Sequence, residues 1–140
     1  MIDAKTLKKL YSWALTPEVF RQDLMPLNLL GDSNMSTSPA LLYLEELPAI
    51  AETDVSELQR KEQTYRGSWK KRGGTGAFMM LARKWDRIEN ISENAGYDIF
   101  DVIRREGLDG ADGTLIAEIR DLRRYLMLVE AELTNRMKNP

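Results

Sequence analysis

The sequence predicts an all-α fold, a helical bundle whose core helices span about 77–92 and 112–137. The segment 112–137 repeats apolar residues at Leu115, Ile119, Leu122, Leu126, Val129 and Leu133. Spacings of 4, 3, 4, 3 and 4 keep these residues on one helix face and suit packing in a bundle. A shorter stripe at Phe78, Leu81, Trp85 and Ile88 marks the segment 77–92. Almost nothing in the chain reads as a strand.

Residues 3–14 form a short amphipathic helix with Leu7, Leu10, Tyr11 and Ala14 on one face. Thr16-Pro17-Glu18 is a helix start, an N-cap followed by proline and an acid. Pro26 and GDSNMSTSP (31–39) make a loop. Ser38-Pro39 opens another helix, limited by Pro48. Asp54-Val55-Ser56-Glu57 fits a capping box that opens a helix of about ten residues. A basic, glycine-rich loop at 66–76 precedes the 77–92 helix. A short helix covers Asp98 to Glu106 and stops at Gly107. GLDGADG (107–113) is a turn region before the last helix.

With 140 residues the chain is most simply one domain. Its 43% hydrophobic and 30% charged residues are an ordinary globular balance. A net charge of -2 argues against a nucleic-acid-binding polycation. The chain has no cysteine and no histidine. Disulfides, Cys/His zinc sites, thiol nucleophiles and histidine acid–base catalysis are therefore excluded. A metal here would need oxygen ligands, which points to Mg²⁺ or Mn²⁺. No apolar run approaches the length of a membrane span, and MIDAKTLKKLYSW lacks a signal-peptide core. The expectation is a soluble cytoplasmic protein with neither a membrane nor a nucleic acid as partner.

The acids carry the chemistry. Asp86 and Glu89 stand three apart, each one position after a core residue, so they border the apolar face. Glu118 and Asp121 repeat the arrangement on the last helix, and their stripe continues through Tyr125 and Leu128. If the two helices pack as neighbours, four carboxylates converge. Such a cluster repels itself unless cations neutralise it. Neutralising Glu118 or Asp121 is accordingly expected to relieve repulsion in metal-free buffer. The loop ahead of the first pair combines Lys70, Lys71 and Arg72 with Gly73, Gly74 and Gly76. Backbone N–H groups and basic side chains before a helix N-terminus suit phosphates. No Walker A or dinucleotide glycine motif is present.

Asp86-x-x-Glu89, 28 intervening residues and Glu118-x-x-Asp121 together resemble the metal motif of the all-α nucleoside triphosphate pyrophosphatases, the MazG-like superfamily. That motif usually starts with Glu where this chain has Asp86, one methylene shorter. YRGSWKKRGGTGAFMMLARKWDRIEN with AEIRDLRRYLMLVEAEL looks more narrowly like phage-encoded members of the MazZ type. The resemblance covers about residues 62–133, and the first 60 residues carry none of it. It implies cleavage of a purine deoxynucleoside triphosphate, dGTP or dATP, to the monophosphate and pyrophosphate, in phage nucleotide-pool control. It also implies two or three Mg²⁺ or Mn²⁺ ions on Asp86, Glu89, Glu118 and Asp121, with catalysis through a water that they activate. Lys70, Lys71, Arg83 and Lys84 are then expected nearest the phosphates. Ser68, Trp69 and Tyr125 are expected at the nucleoside, while Trp85 belongs to the core stripe. Family members are homodimers or homotetramers, and the same is expected here.

Two other classes compete. A non-enzymatic helical adaptor would use the last helix as a partner surface. A nucleic-acid binder would use residues 66–87, where seven basic residues face one acid. The net charge and the acidic segment 45–62 argue against the binder.

Overall fold

The computed structural model describes residues 38–140. The expected 3–14 helix, the helix start at Thr16-Pro17-Glu18, Pro26 and most of the 31–39 loop lie outside the described residues. Contacts divide the chain between Glu45 and Glu46. Everything below concerns the unit from Glu46 to Pro140, except a 3₁₀ helix at Pro39–Glu46.

Among the described residues the fold is all-α. Helix α1 is Leu47–Tyr65, α2 is Gly73–Glu93, α3 is Ile99–Glu106 and α4 is Leu115–Lys138. Pro48 lies in the first turn of α1. There its missing N–H costs nothing and its fixed φ favours the helix. The helix therefore starts well before the capping box read at Asp54. Asp54 sits in mid-helix and is buried, so it caps nothing.

Helix α1 ends in two left-handed residues, Arg66 (φ 47°) and Gly67 (φ 69°). Glu62 holds this reversal twice. Its carbonyl accepts from the Arg66 N–H at 2.9 Å, and its carboxylate accepts from the Gly67 N–H at 2.8 Å. A 3₁₀ turn at Ser68–Lys70 follows, and α2 begins at Gly73. The loop expected over 66–76 is thus shorter, and Gly74 and Gly76 already belong to α2. Gly76 is required by a close approach: a Cβ there would stand 2.6 Å from Cβ of Arg72.

Asp98 caps α3, its side chain accepting from the Asp101 N–H at 3.1 Å. Gly107 ends that helix at φ 85°, as the sequence indicated. The Glu106 carboxylate accepts from the Leu115 N–H at 2.7 Å. An anion on an unpaired N–H at a helix start is favourable twice, by hydrogen bond and by helix dipole.

The dominant contact is between α2 and α4, which run antiparallel; α3 and α1 also pack on α4. The buried core is Ile88 of α2, Val102 of α3 and the fully buried Leu115 of α4. Ile91, Ile99, Ile103, Ile119 and Leu122 close around it. The core thus lies at one end of the α2–α4 pair, where α3 joins it. Toward the other end both sequence stripes come to the surface. Phe78 is 63% exposed, Trp85 50%, Leu126 50% and Leu133 58%. Trp85 is therefore not a core residue of this unit.

Candidate functional site

The antiparallel pairing of α2 and α4 sets Lys84 and Arg87 opposite Glu118 and Asp121. The Lys84 ammonium donates to Glu118 Oε2 at 3.0 Å and to Asp121 Oδ2 at 2.7 Å. Arg87 Nη1 donates to Glu118 Oε1 at 3.1 Å. Glu118 is only 4% exposed, so these bonds supply the compensation a buried carboxylate needs. Burial would pull the Lys84 pKa down. The hydrogen bonds to Asp121 and Glu118 outweigh it, and the ammonium titrates above its usual range.

The other acid pair is placed differently. Asp86 is exposed and Glu89 half-buried. Among the described residues no three acidic side chains come together as a metal site. What the structure brings together is one pair, Glu118 with Asp121, sharing the Lys84 ammonium, with Arg87 also on Glu118 and Lys61 3.8 Å from Asp121.

Beside this pair lies a cavity of about 400 Å³. Helix α4 lines it with Asp121, Arg124, Tyr125 and Leu128, and α1 with Leu58, Lys61, Glu62 and Tyr65. Both sets follow the i, i+3, i+4, i+7 spacing of one helix face. Ser68 and Trp69 of the 3₁₀ turn and Met80 of α2 complete the lining. The residues read as nucleoside contacts, Ser68, Trp69 and Tyr125, therefore share one cavity with Asp121. Burial raises the Tyr125 phenol, with Lys84 pulling it down and Asp121 pushing it up. The net shift is upward, so the hydroxyl stays a donor at neutral pH.

The basic residues of the loop region are dispersed. Lys70 pairs with Glu132 at 2.6 Å and lines a neighbouring recess with Trp69. Lys71 and Arg83 are exposed and form no ion pair among the described residues. Lys61 and Arg124 stand on the cavity instead, and sequence reasoning missed both. The α1 face spacing was the signal that could have found Lys61. Arg124 offered one too, since it follows Asp121 by three positions.

Comparison with protein-family models, curated proteins and solved structures finds no match.

Proposed function

We propose that this protein is a metal-dependent hydrolase of purine deoxynucleoside triphosphates, dGTP or dATP, releasing the monophosphate and pyrophosphate. The observation that carries this reading is the shared cavity. Ser68 and Trp69 come from one segment and Asp121 and Tyr125 from another some 50 residues away, yet they line the same space. The donor set fits a cation, because Glu118 and Asp121 already converge on one positive charge, the Lys84 ammonium. In the bound state Glu118 and Asp121 would hold Mg²⁺ or Mn²⁺, with Asp86 and Glu89 as the further acids of the motif. The ions supply charge neutralisation and a lowered pKa for water.

The chain's own residues have separate tasks. Trp69, Tyr65 and Tyr125 offer aromatic faces for a base. Lys84, displaced from its acids, would stay within reach of the phosphates as a charge-assisted donor. Apolar Leu58, Met80 and Leu128 keep part of the cavity dry, which strengthens those interactions. The exposed apolar residues of α2 and α4 suit a homodimer or homotetramer.

The test is a nucleotide panel with Mg²⁺ or Mn²⁺, scored for pyrophosphate against orthophosphate. Equal amounts of monophosphate and pyrophosphate are expected, and Glu118→Gln or Asp121→Asn should reduce turnover to background with the fold kept. Orthophosphate as first product would refute the reading.

The adaptor reading has one observation in its favour: Lys84 and Arg87 together pair with Glu118 and Asp121 without any metal. An adaptor would release no pyrophosphate from any nucleotide, and Mg²⁺ would leave its melting temperature unchanged.

A further inference from the structure

Asp54 is a buried carboxylate that the proposed chemistry does not use. It is 1% exposed and lies in the middle of α1. Two adjacent arginines of α4 reach it, and they reach it differently. Arg123 donates through both Nε and Nη2, the latter at 2.9 Å to Oδ1. Arg124 donates through Nε alone, at 2.9 Å to Oδ1. Among the described residues neither Nη atom of Arg124 has a hydrogen-bond partner. Arg124 lines the cavity and Arg123 does not. One arginine thus completes a two-bond pair with Asp54, while the other is gripped at Nε and keeps its outer nitrogens for something else. Lys61 of α1 lines the same cavity, its ammonium 3.8 Å from Asp121 Oδ1.

We propose that Arg124 and Lys61 form an anion subsite on the cavity wall, with Asp54 as the residue that positions Arg124, and that it takes the phosphoryl oxygens of the bound nucleotide. The assignment rests on the nucleotide reading of this cavity. A guanidinium fixed through Nε presents planar, parallel N–H donors, the geometry that phosphate oxygens accept. Pre-fixing it removes most of the rotamer entropy that binding would otherwise cost. Burial would raise the Asp54 pKa, but the Arg123 and Arg124 hydrogen bonds outweigh it. The carboxylate therefore stays charged at neutral pH and the grip persists.

The experiment is calorimetric titration of the full chain with inorganic tripolyphosphate in EDTA buffer, alongside melting curves. Wild type should bind, and Arg124→Gln should weaken binding roughly tenfold or more, as losing a charge-assisted hydrogen bond implies. Arg124→Lys keeps the charge and preserves folding if the Gln variant does not; it should weaken binding several-fold. Arg123→Gln should lower the melting temperature and weaken binding far less than Arg124→Gln, because Arg123 does not line the cavity. Absence of tripolyphosphate binding by wild type would overturn the proposal. So would equal loss of affinity in the Arg123 and Arg124 variants, which would make both arginines mere fasteners between α1 and α4. These outcomes are separate from the fate of the enzymatic reading, which the pyrophosphate assay decides without any arginine variant.

Discussion

At the scale of single residues, charge placement governs the site. Lys84 reverses one expectation drawn from the sequence. Glu118 and Asp121 were expected to repel, so that neutralising either would stabilise the metal-free protein. With the ammonium 3.0 and 2.7 Å away, the pair is already compensated. Glu118→Gln should therefore lower the melting temperature in EDTA, leaving Lys84 and Arg87 short of a buried partner. Lys84→Met should behave in the opposite sense toward ions. It removes the one cation that both acids share, leaving Arg87 on Glu118 and only Lys61, at 3.8 Å, near Asp121, so Mg²⁺ should raise its melting temperature more than it raises that of wild type. Asp54 gives a pH prediction. Its pKa is lowered on folding, so its contribution is present above about pH 4 and disappears as pH falls through the lower folded value. Asp54→Asn should be less stable than wild type at pH 7 by about 3 kcal/mol. The gap should narrow in acid denaturation curves below pH 4. None of this was legible in the sequence, because Asp54-x-x-Glu57 matches a local capping pattern while the partners that decide its role lie some 70 residues on.

At the scale of elements, the sequence read best where a local rule suffices. Asp98 and Gly107 bound α3 as expected because both signals are confined to one turn. The 66–76 segment read worst. Its glycines looked like a flexible loop, but Gly76 is there for the close approach of Arg72 Cβ. Gly76→Ala should cost about 1–3 kcal/mol, the range for forcing extra carbon into a filled space, measurable by urea unfolding. An unchanged midpoint would mean that the Arg72 backbone yields freely. Leu115 is fully buried where α2, α3 and α4 meet. Leu115→Ala should cost about 2–5 kcal/mol, while Leu133→Ala, at a 58% exposed position, should cost far less.

At the scale of the whole molecule, the all-α class was legible because helical periodicity is a long-range average that survives local errors. The site was half legible. The spacing picked out Asp121 and placed Tyr125 on its stripe, while Ser68 and Trp69 entered only through the resemblance and not through the loop's own composition. The pairing register that put Lys84 and Arg87 against Glu118 and Asp121 depends on how α2 slides along α4, which no spacing within one helix encodes. The same holds for the stripes: periodicity says which face is apolar, not how far along the helix a neighbour covers it. Phe78 and Trp85 on α2 and Leu126 and Leu133 on α4 remain open to solvent among the described residues, and a second copy of the chain is the proposed cover. Leu126→Glu combined with Leu133→Glu should shift the sedimentation coefficient to that of a 16.1 kDa monomer. Wild type sedimenting as a monomer would remove the proposal.

Because Lys84 belongs to the same chain as the acids it neutralises, it acts on them as a tethered ion. Short tethers give effective concentrations on the order of millimolar or higher, so free sodium or potassium would compete poorly for the pair. A divalent cation would have to displace the tether, which weakens its apparent affinity by a constant factor at every concentration. The two acids raise the Lys84 pKa, so what they hold is the ammonium and not the neutral amine. Divalent uptake at the pair would then be an exchange of one bound cation for another, not the filling of an empty site.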